Sequence, residues 1–138
     1  MSYLLDTNII SEMNKPIPNT NVLAWLNQNP LVFISSITKA EILFGLEKLN
    51  NGKRKDELTK LINEVLALFN HRILPFCEKS ANYYGKIVVQ RQKQGKPILM
   101  ADALIASIAL ANHLTVVTRN TKDFSDIDGL IVLNPFNP

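Results

Sequence analysis

Asp6, Glu41, Asp102 and Asp123 are carboxylates placed where a solvated surface charge is not expected. Asp6 ends the apolar run Tyr3-Leu4-Leu5, and Glu41 lies within Ile37-Thr38-Lys39-Ala40-Glu41-Ile42-Leu43. Asp102 stands between Leu99-Met100-Ala101 and Ala103-Leu104-Ile105, and Asp123 closes Thr118-Arg119-Asn120-Thr121-Lys122 before Phe124. Three or four carboxylates in a partly buried pocket cannot all stay ionised. Either some take up protons or a cation neutralises them. Oxygen ligands without cysteine or clustered histidine select Mg²⁺ or Mn²⁺ over zinc. Two such ions about 4 Å apart would clamp the attacking and leaving oxygens of a phosphodiester. Metal-dependent phosphodiester hydrolysis is therefore open to this chain if its fold gathers the four acids.

Each acid also has an ordinary explanation. Asp6 can cap a helix beginning at Thr7. Glu41 fits a capping box with Thr38, unless Ser35 or Ser36 starts the helix and leaves Glu41 free to face the sheet edge. Asp102 suits the positive end of a helix dipole, although its neighbours are core residues. Asp123 alone is a loop acid. Of the chain's 12 acids, these four fall at strand ends or helix starts. Glu47, Asp56, Glu57, Glu64 and Glu78 read as surface, Asp126 and Asp128 as turn residues, and Glu12 as solvent-facing. Thr7, Asn8, Thr118 and Asn120 are placed to orient carboxylates or waters. Arg119 is placed to contact phosphate or to pair with an acid.

The elements that would position these residues alternate between strand and helix. Tyr3–Leu5 reads as a buried strand and Thr7–Met13 as a short helix, stopped by Pro16 and Pro18. Val22–Leu26 is amphipathic helix, and Leu31–Ser35 a second strand. Ile42, Leu43, Leu46 and Leu49 share one face of a helix over 37–49, broken by Asn50-Asn51-Gly52. Leu58 to Phe69 marks another helix, and Arg72–Phe76 a short strand or connector. Glu78–Gln94 is helical and stops at Gly95 with Pro97 beyond. Met100–Asn112 is a helix apolar enough to require burial. Leu114–Thr118 and Leu130–Leu133 are the last strands. This alternation predicts a three-layer α/β domain with a mostly parallel sheet. Ligands of such folds bind beyond the carboxyl ends of strands, and all four acids can lie on that edge.

The 138 residues are expected to form one domain across 1–138 with a sizeable core. The 46% hydrophobic content is that of a globular protein, and the N-terminus lacks a signal-peptide pattern. No apolar run reaches the roughly 18 residues of a membrane helix, so no membrane association is expected. The single cysteine, Cys77, follows Ile73-Leu74-Pro75-Phe76 and is expected to fill core. A cytoplasmic location fits this cysteine usage. The net charge of +3 is compatible with a polyanionic partner. Basic stretches run from Lys48 to Lys60 and from Arg91 to Lys96. Lys48, Arg91 and Arg119 are candidate RNA contacts, though either stretch can equally be a solvated helix end.

Four segments together resemble the PIN-domain ribonucleases, and among them the VapC-type toxins of bacterial toxin–antitoxin pairs. They are Leu4-Leu5-Asp6-Thr7-Asn8-Ile9-Ile10-Ser11-Glu12, Ser36–Leu46, Met100-Ala101-Asp102-Ala103-Leu104-Ile105-Ala106 and Thr118–Phe124. The likeness covers essentially the whole chain, in order. It implies a compact α/β/α domain and an endoribonuclease dependent on Mg²⁺ or Mn²⁺, which inhibits translation by cleaving RNA. It implies Asp6 and Asp102 as direct metal ligands, Glu41 as a ligand direct or through water, and Asp123 on the side of a second ion. It also implies a homodimer, and an antitoxin that blocks the shared groove and supplies the contacts to operator DNA. Several alternatives stand beside it. One is a PIN-like RNA-processing nuclease outside a toxin system. Another is an aspartyl-phosphate phosphatase, which wants a second acid where Asn8 stands. A third is a receiver-type or binding module with a non-catalytic acidic pocket.

Overall fold

Parallel strands need long crossovers, and the helical segments supply them. In this computed structural model, which describes residues 1–138, the order is β1 (Tyr3–Leu5), α1 (Thr7–Met13), α2 (Thr20–Gln28), β2 (Val32–Ser35), α3 (Ser36–Glu47), α4 (Lys53–Ala67), β3 (Ile73–Leu74), α5 (Glu78–Lys93), α6 (Met100–Ala111), β4 (Thr115–Val117), a 3-10 turn (Thr121–Phe124) and β5 (Val132–Leu133). The five strands form one sheet in the order β3-β2-β1-β4-β5. Every pairing is parallel, so the mostly parallel sheet expected from the sequence is parallel throughout.

Alternation along the strands divides the core in two. Leu5, Val32, Ile34 and Val117 pack against α1 to α4 through Ile9, Ile10, Val22, Ile42, Leu46 and Ile62. Leu4 and Val116 point the other way, onto Ile87 of α5 and Ala103, Ile105, Ile108 and Ala109 of α6. With helices on both faces, water reaches the central strands at their ends and the sheet along its half-buried edge strands β3 and β5. The chain leaves β1 toward β2 and β3 on one side, then returns to β4 and β5 on the other. That reversal is the switch point where ligands of doubly wound sheets bind.

Local polar contacts decide how the helices start. The Ser35 hydroxyl caps α3 by accepting the Thr38 N–H at 3.0 Å. Of the two frames left open by the sequence, the chain takes the one that releases Glu41. Asp6 caps α1 by accepting the Thr7 N–H at 2.8 Å. Asn19 caps α2 through the N–H groups of Asn21 and Val22.

Two expectations fail. Cys77 is exposed rather than core, because the apolar run ends at Phe76 and Cys77 occupies the mouth of α5, 3.6 Å from the Ser80 hydroxyl. Glu12 is only 5% exposed rather than solvent-facing. The Pro16–Pro18 connection folds back over it, and Glu12 accepts from Lys15 at 2.8 Å and from the Asn19 N–H at 2.9 Å. These two bonds, Lys15 first, hold its carboxyl below the ordinary range. Glu12 thus ties the α1–α2 connection.

Replacing the fully buried Ser35 by alanine removes the cap of α3. Ser35→Ala should lower folding stability by about 1 kcal/mol, read as a shift of the urea midpoint. An unchanged midpoint would refute the cap.

Candidate active site

The site is assembled around Asp6, 6% exposed at the end of β1. Its backbone N–H donates to Val117 O at 2.9 Å, which docks the end of β1 against β4. The Thr118 hydroxyl donates to Asp6 Oδ2 at 2.8 Å, and Asn8 Nδ2 adds a second bond there at 3.2 Å. Asn8 Nδ2 also donates to Thr118 Oγ1 at 3.1 Å, while Asn8 Oδ1 accepts the Arg119 N–H. Burial raises the Asp6 carboxyl. Bonds from Thr118 and Thr7 oppose this, and the negative charges of Glu41 and Asp123 add to it.

Glu41 arrives from the second turn of α3. Its Oε1 accepts the Thr7 hydroxyl at 2.7 Å. The Thr38 hydroxyl lies 3.2 Å from Thr7 Oγ1 and 3.4 Å from Ser35 Oγ, so a polar chain runs from the α3 cap to Glu41. Asp102 sits half-buried in the first turn of α6. Its carboxyl is pushed up to about 7, by burial first and then by Asp6, Asp123 and Glu41, with Arg91 opposing. Asp123 is exposed on the 3-10 turn that follows β4. Asp6, Glu41 and Asp123 each act on Asp102 through their charge, so the four acids lie within electrostatic reach of one another.

The other singled-out residues divide. Thr7, Asn8 and Thr118 bond to the acids through their side chains. Asn120 takes part only through its N–H, which donates to Thr118 Oγ1 at 3.0 Å. Arg119 forms no ion pair with the acids; its guanidinium lies 4.8 Å from the Phe136 ring centre. Lys48 is exposed, its ammonium 5.2 Å from the Phe44 ring centre. Arg91 cannot be an RNA contact as expected, since it is 5% exposed. It spends its donors on the carbonyls of Lys96, Asp123 and Ser125. Its burial had a signal in the sequence, because Tyr84, Ile87 and Arg91 follow helical spacing on one face.

No three acidic, histidine or cysteine side chains are drawn together into a closed metal cage. The donor set nevertheless fits a hard divalent cation: it is all oxygen, and the rise of Asp102 to about 7 is the effect a bound cation reverses.

Fold and site together define an all-parallel α/β protein with an oxygen-only acidic mouth at its switch point. The sequence pattern of the PIN domain matches residues 3–130, and the chain belongs to the PIN-domain family. It is 44% identical over 137 residues to "Toxin FitB" of Neisseria gonorrhoeae, spanning 97% of this chain and 98% of that protein. It is 38% identical to "VapC ribonuclease Y4jK" of Sinorhizobium fredii, spanning 98% of each. The crystal structure of FitAcB from Neisseria gonorrhoeae superposes with a TM-score of 0.89 at 43% identity, covering 99% of both chains. That of VapBC2 from Rickettsia felis, bound to a promoter DNA fragment, gives 0.80 at 34% identity, covering 97% of this chain and 98% of that one.

A folded carboxyl near 7 against an ordinary value of 3.8 means that the folded state holds an extra proton between those values. Metal-free stability should therefore rise as pH falls from above 7 toward 4, and be lowest above 7. Asp102→Asn should flatten this slope. It should also raise the metal-free unfolding midpoint at pH 8 by about 2–5 °C, a modest gain because the group is half-exposed. A lowered midpoint in calorimetry would contradict the electrostatic account.

Proposed function

We propose that this chain is a metal-dependent endoribonuclease serving as the toxin of a toxin–antitoxin pair, with RNA as substrate and Mg²⁺ or Mn²⁺ as the ion. The observation that carries this reading is the buried Asp6 carboxylate at the reversal of strand order, with Glu41 held beside it through Thr7. It occurs in a PIN-domain chain whose relatives bear ribonuclease and toxin names. Asn8 in place of a second acid speaks against a phosphatase, and a receiver would want a lysine after a late strand, where Thr118-Arg119 follow β4.

Asp6 and Asp102 would hold the ion, Glu41 would ligate it directly or through water, and Asp123 would serve a second ion. A divalent cation there supplies an acidified water and positive charge against phosphate oxygens. The protein's own part is orientation. Thr118 and Asn8 fix one Asp6 oxygen and the Thr7 N–H the other, so that carboxylate is aimed before any ligand arrives. Thr7 holds Glu41 in the same way. Lys48 and Arg119 stand exposed to meet phosphates of the RNA. No helix is long and apolar enough to cross a membrane, and we place the activity in the cytoplasm, with the chain as a homodimer.

An open groove of about 330 Å³ runs from Thr7 and Glu41 between α1, α3 and α4, past Ile10, Gly45 and Leu58. Asn14 lines it and keeps a buried Oδ1 with no donor. We assign this groove to the antitoxin, whose C-terminal segment would cover the acids; operator DNA is reached through the antitoxin.

Purified protein should cleave RNA with Mg²⁺ or Mn²⁺ and stop on chelation. Asp6→Ala and Asp102→Ala should each lower the rate by about 100-fold or more, beyond the 10–100-fold typical of outer partners. Cleavage at the wild-type rate by the folded double variant would sink the assignment.

Gly45 has nothing within 4 Å of an added side chain, so Gly45→Leu should fill the groove without straining the fold. It should weaken antitoxin binding by about tenfold or more while sparing RNA cleavage. Unchanged neutralisation would place the antitoxin elsewhere.

A further inference from the structure

Arg91 is a buried charged residue whose side chain bonds to backbone carbonyls on either side of the two acids Asp102 and Asp123. It forms no ion pair. Nε donates to Lys96 O at 2.8 Å, and the Arg91 carbonyl accepts the Lys96 N–H at 2.9 Å, so the two residues clamp each other. Gly95, at φ 72°, makes the turn that this clamp closes. Lys96 opens the connection that feeds α6, whose first turn carries Asp102. At the other end, Nη1 donates to Asp123 O at 3.0 Å and to Ser125 O at 3.2 Å. One planar guanidinium thus bridges the two segments that carry Asp102 and Asp123. At the exposed surface the same two segments are also tied by the Lys96–Asp126 ion pair at 2.7 Å and by Gln94 Nε2 donating to Asp126 O at 3.2 Å, so Arg91 supplies the buried part of the link.

A buried guanidinium without a carboxylate partner is expensive to desolvate, and packing alone would be served by an apolar side chain. What arginine adds is a rigid fork that reaches three carbonyls at once. A lysine would keep the charge but not the fork.

We propose that Arg91 is a positioning residue for the metal site, holding the Asp123 turn and the start of α6 in the fixed relation that lets Asp102 and Asp123 act on the same cation pair. This rests on the metal-nuclease reading. Arg91 touches neither RNA nor ion; beyond the charge it sets against Asp102, which Arg91→Lys keeps, it acts through the Asp123 and Lys96 backbones.

The test is direct Mn²⁺ titration of the full chain, without RNA, by electron paramagnetic resonance. Wild type, Arg91→Lys, Asp123→Asn and the double variant are compared, each with its unfolding curve. Arg91→Lys should fold cooperatively and bind Mn²⁺ about tenfold more weakly, as outer partners of metal ligands do. In the double variant the losses should not add, because both changes remove the same ligand placement. Wild-type affinity in Arg91→Lys, or fully additive losses, would overturn the proposal and leave Arg91 a plain structural residue. Failure of wild type to bind Mn²⁺ would instead overturn the metal reading beneath it. Should Arg91→Lys not fold, Mg²⁺ titration of ¹⁵N-labelled wild type decides. The Arg91 Nε–H and Asp123 amide signals should shift with one shared apparent constant, and an unmoved Nε–H would overturn the proposal.

Discussion

The central strands of a parallel sheet covered on both faces meet water only at their ends, and there the chain buries a carboxylate. Asp6 follows β1 at the point where the strand order reverses, 6% exposed. A carboxylate so placed is tolerated only if its oxygens find donors or a counter-charge. The donors come from Thr7, Asn8 and Thr118. Thr118 is available because β4 lies beside β1 in register, with Val117 opposite Leu5. The docking of two strands and the fixing of one carboxylate are a single arrangement, and the remaining acids are arranged around it.

The same dependence extends outward. Glu41 faces the mouth because α3 begins at Ser35. A helix begun three residues later, at Thr38, would have turned Glu41 back onto its own N-terminus as a capping-box acid. The buried Thr38 hydroxyl instead joins the line from Ser35 to Thr7. A helix start therefore determines whether an acid serves the backbone or the site. On the opposite face, α6 presents Asp102 one turn in, with seven buried residues behind it to keep the helix from rotating.

The layered fold was legible in the sequence because its signals are periodic: strand runs, helical spacing and stop residues agree from end to end. Asp6, Glu41 and Asp102 stood out because each interrupts a hydrophobic context, whereas Asp123 is a loop acid marked only by its place after the strand at 114–118. What stayed illegible was anything that depends on which of two local bonds wins. Glu41 fitted two capping frames equally well, and only the Ser35–Thr38 contact decides between them. Arg91 was misjudged because its charge suggested solvent while its spacing with Tyr84 and Ile87 suggested burial. Three backbone carbonyls, invisible in sequence, favour burial. Cys77 and Glu12 failed for opposite reasons: apolar neighbours do not bury a residue at a helix mouth, and a polar surrounding does not expose one beneath a folded-back loop.

The acids at the mouth are not equivalent. Asp6 is fixed by donors on both oxygens, so its place depends little on any ligand. Asp102 is governed by burial and by three neighbouring carboxylates, with only Arg91 pulling the other way. A proton or a cation must settle that imbalance, and the two compete for the same oxygens. Asp6 is thus the preformed part of the site and Asp102 the part that responds to occupancy. Charge that destabilises the metal-free fold is charge that a cation would offset, so a cation bound among these acids would relieve the repulsion on Asp102. A cation of higher charge would offset more of that repulsion than a monovalent one at the same place.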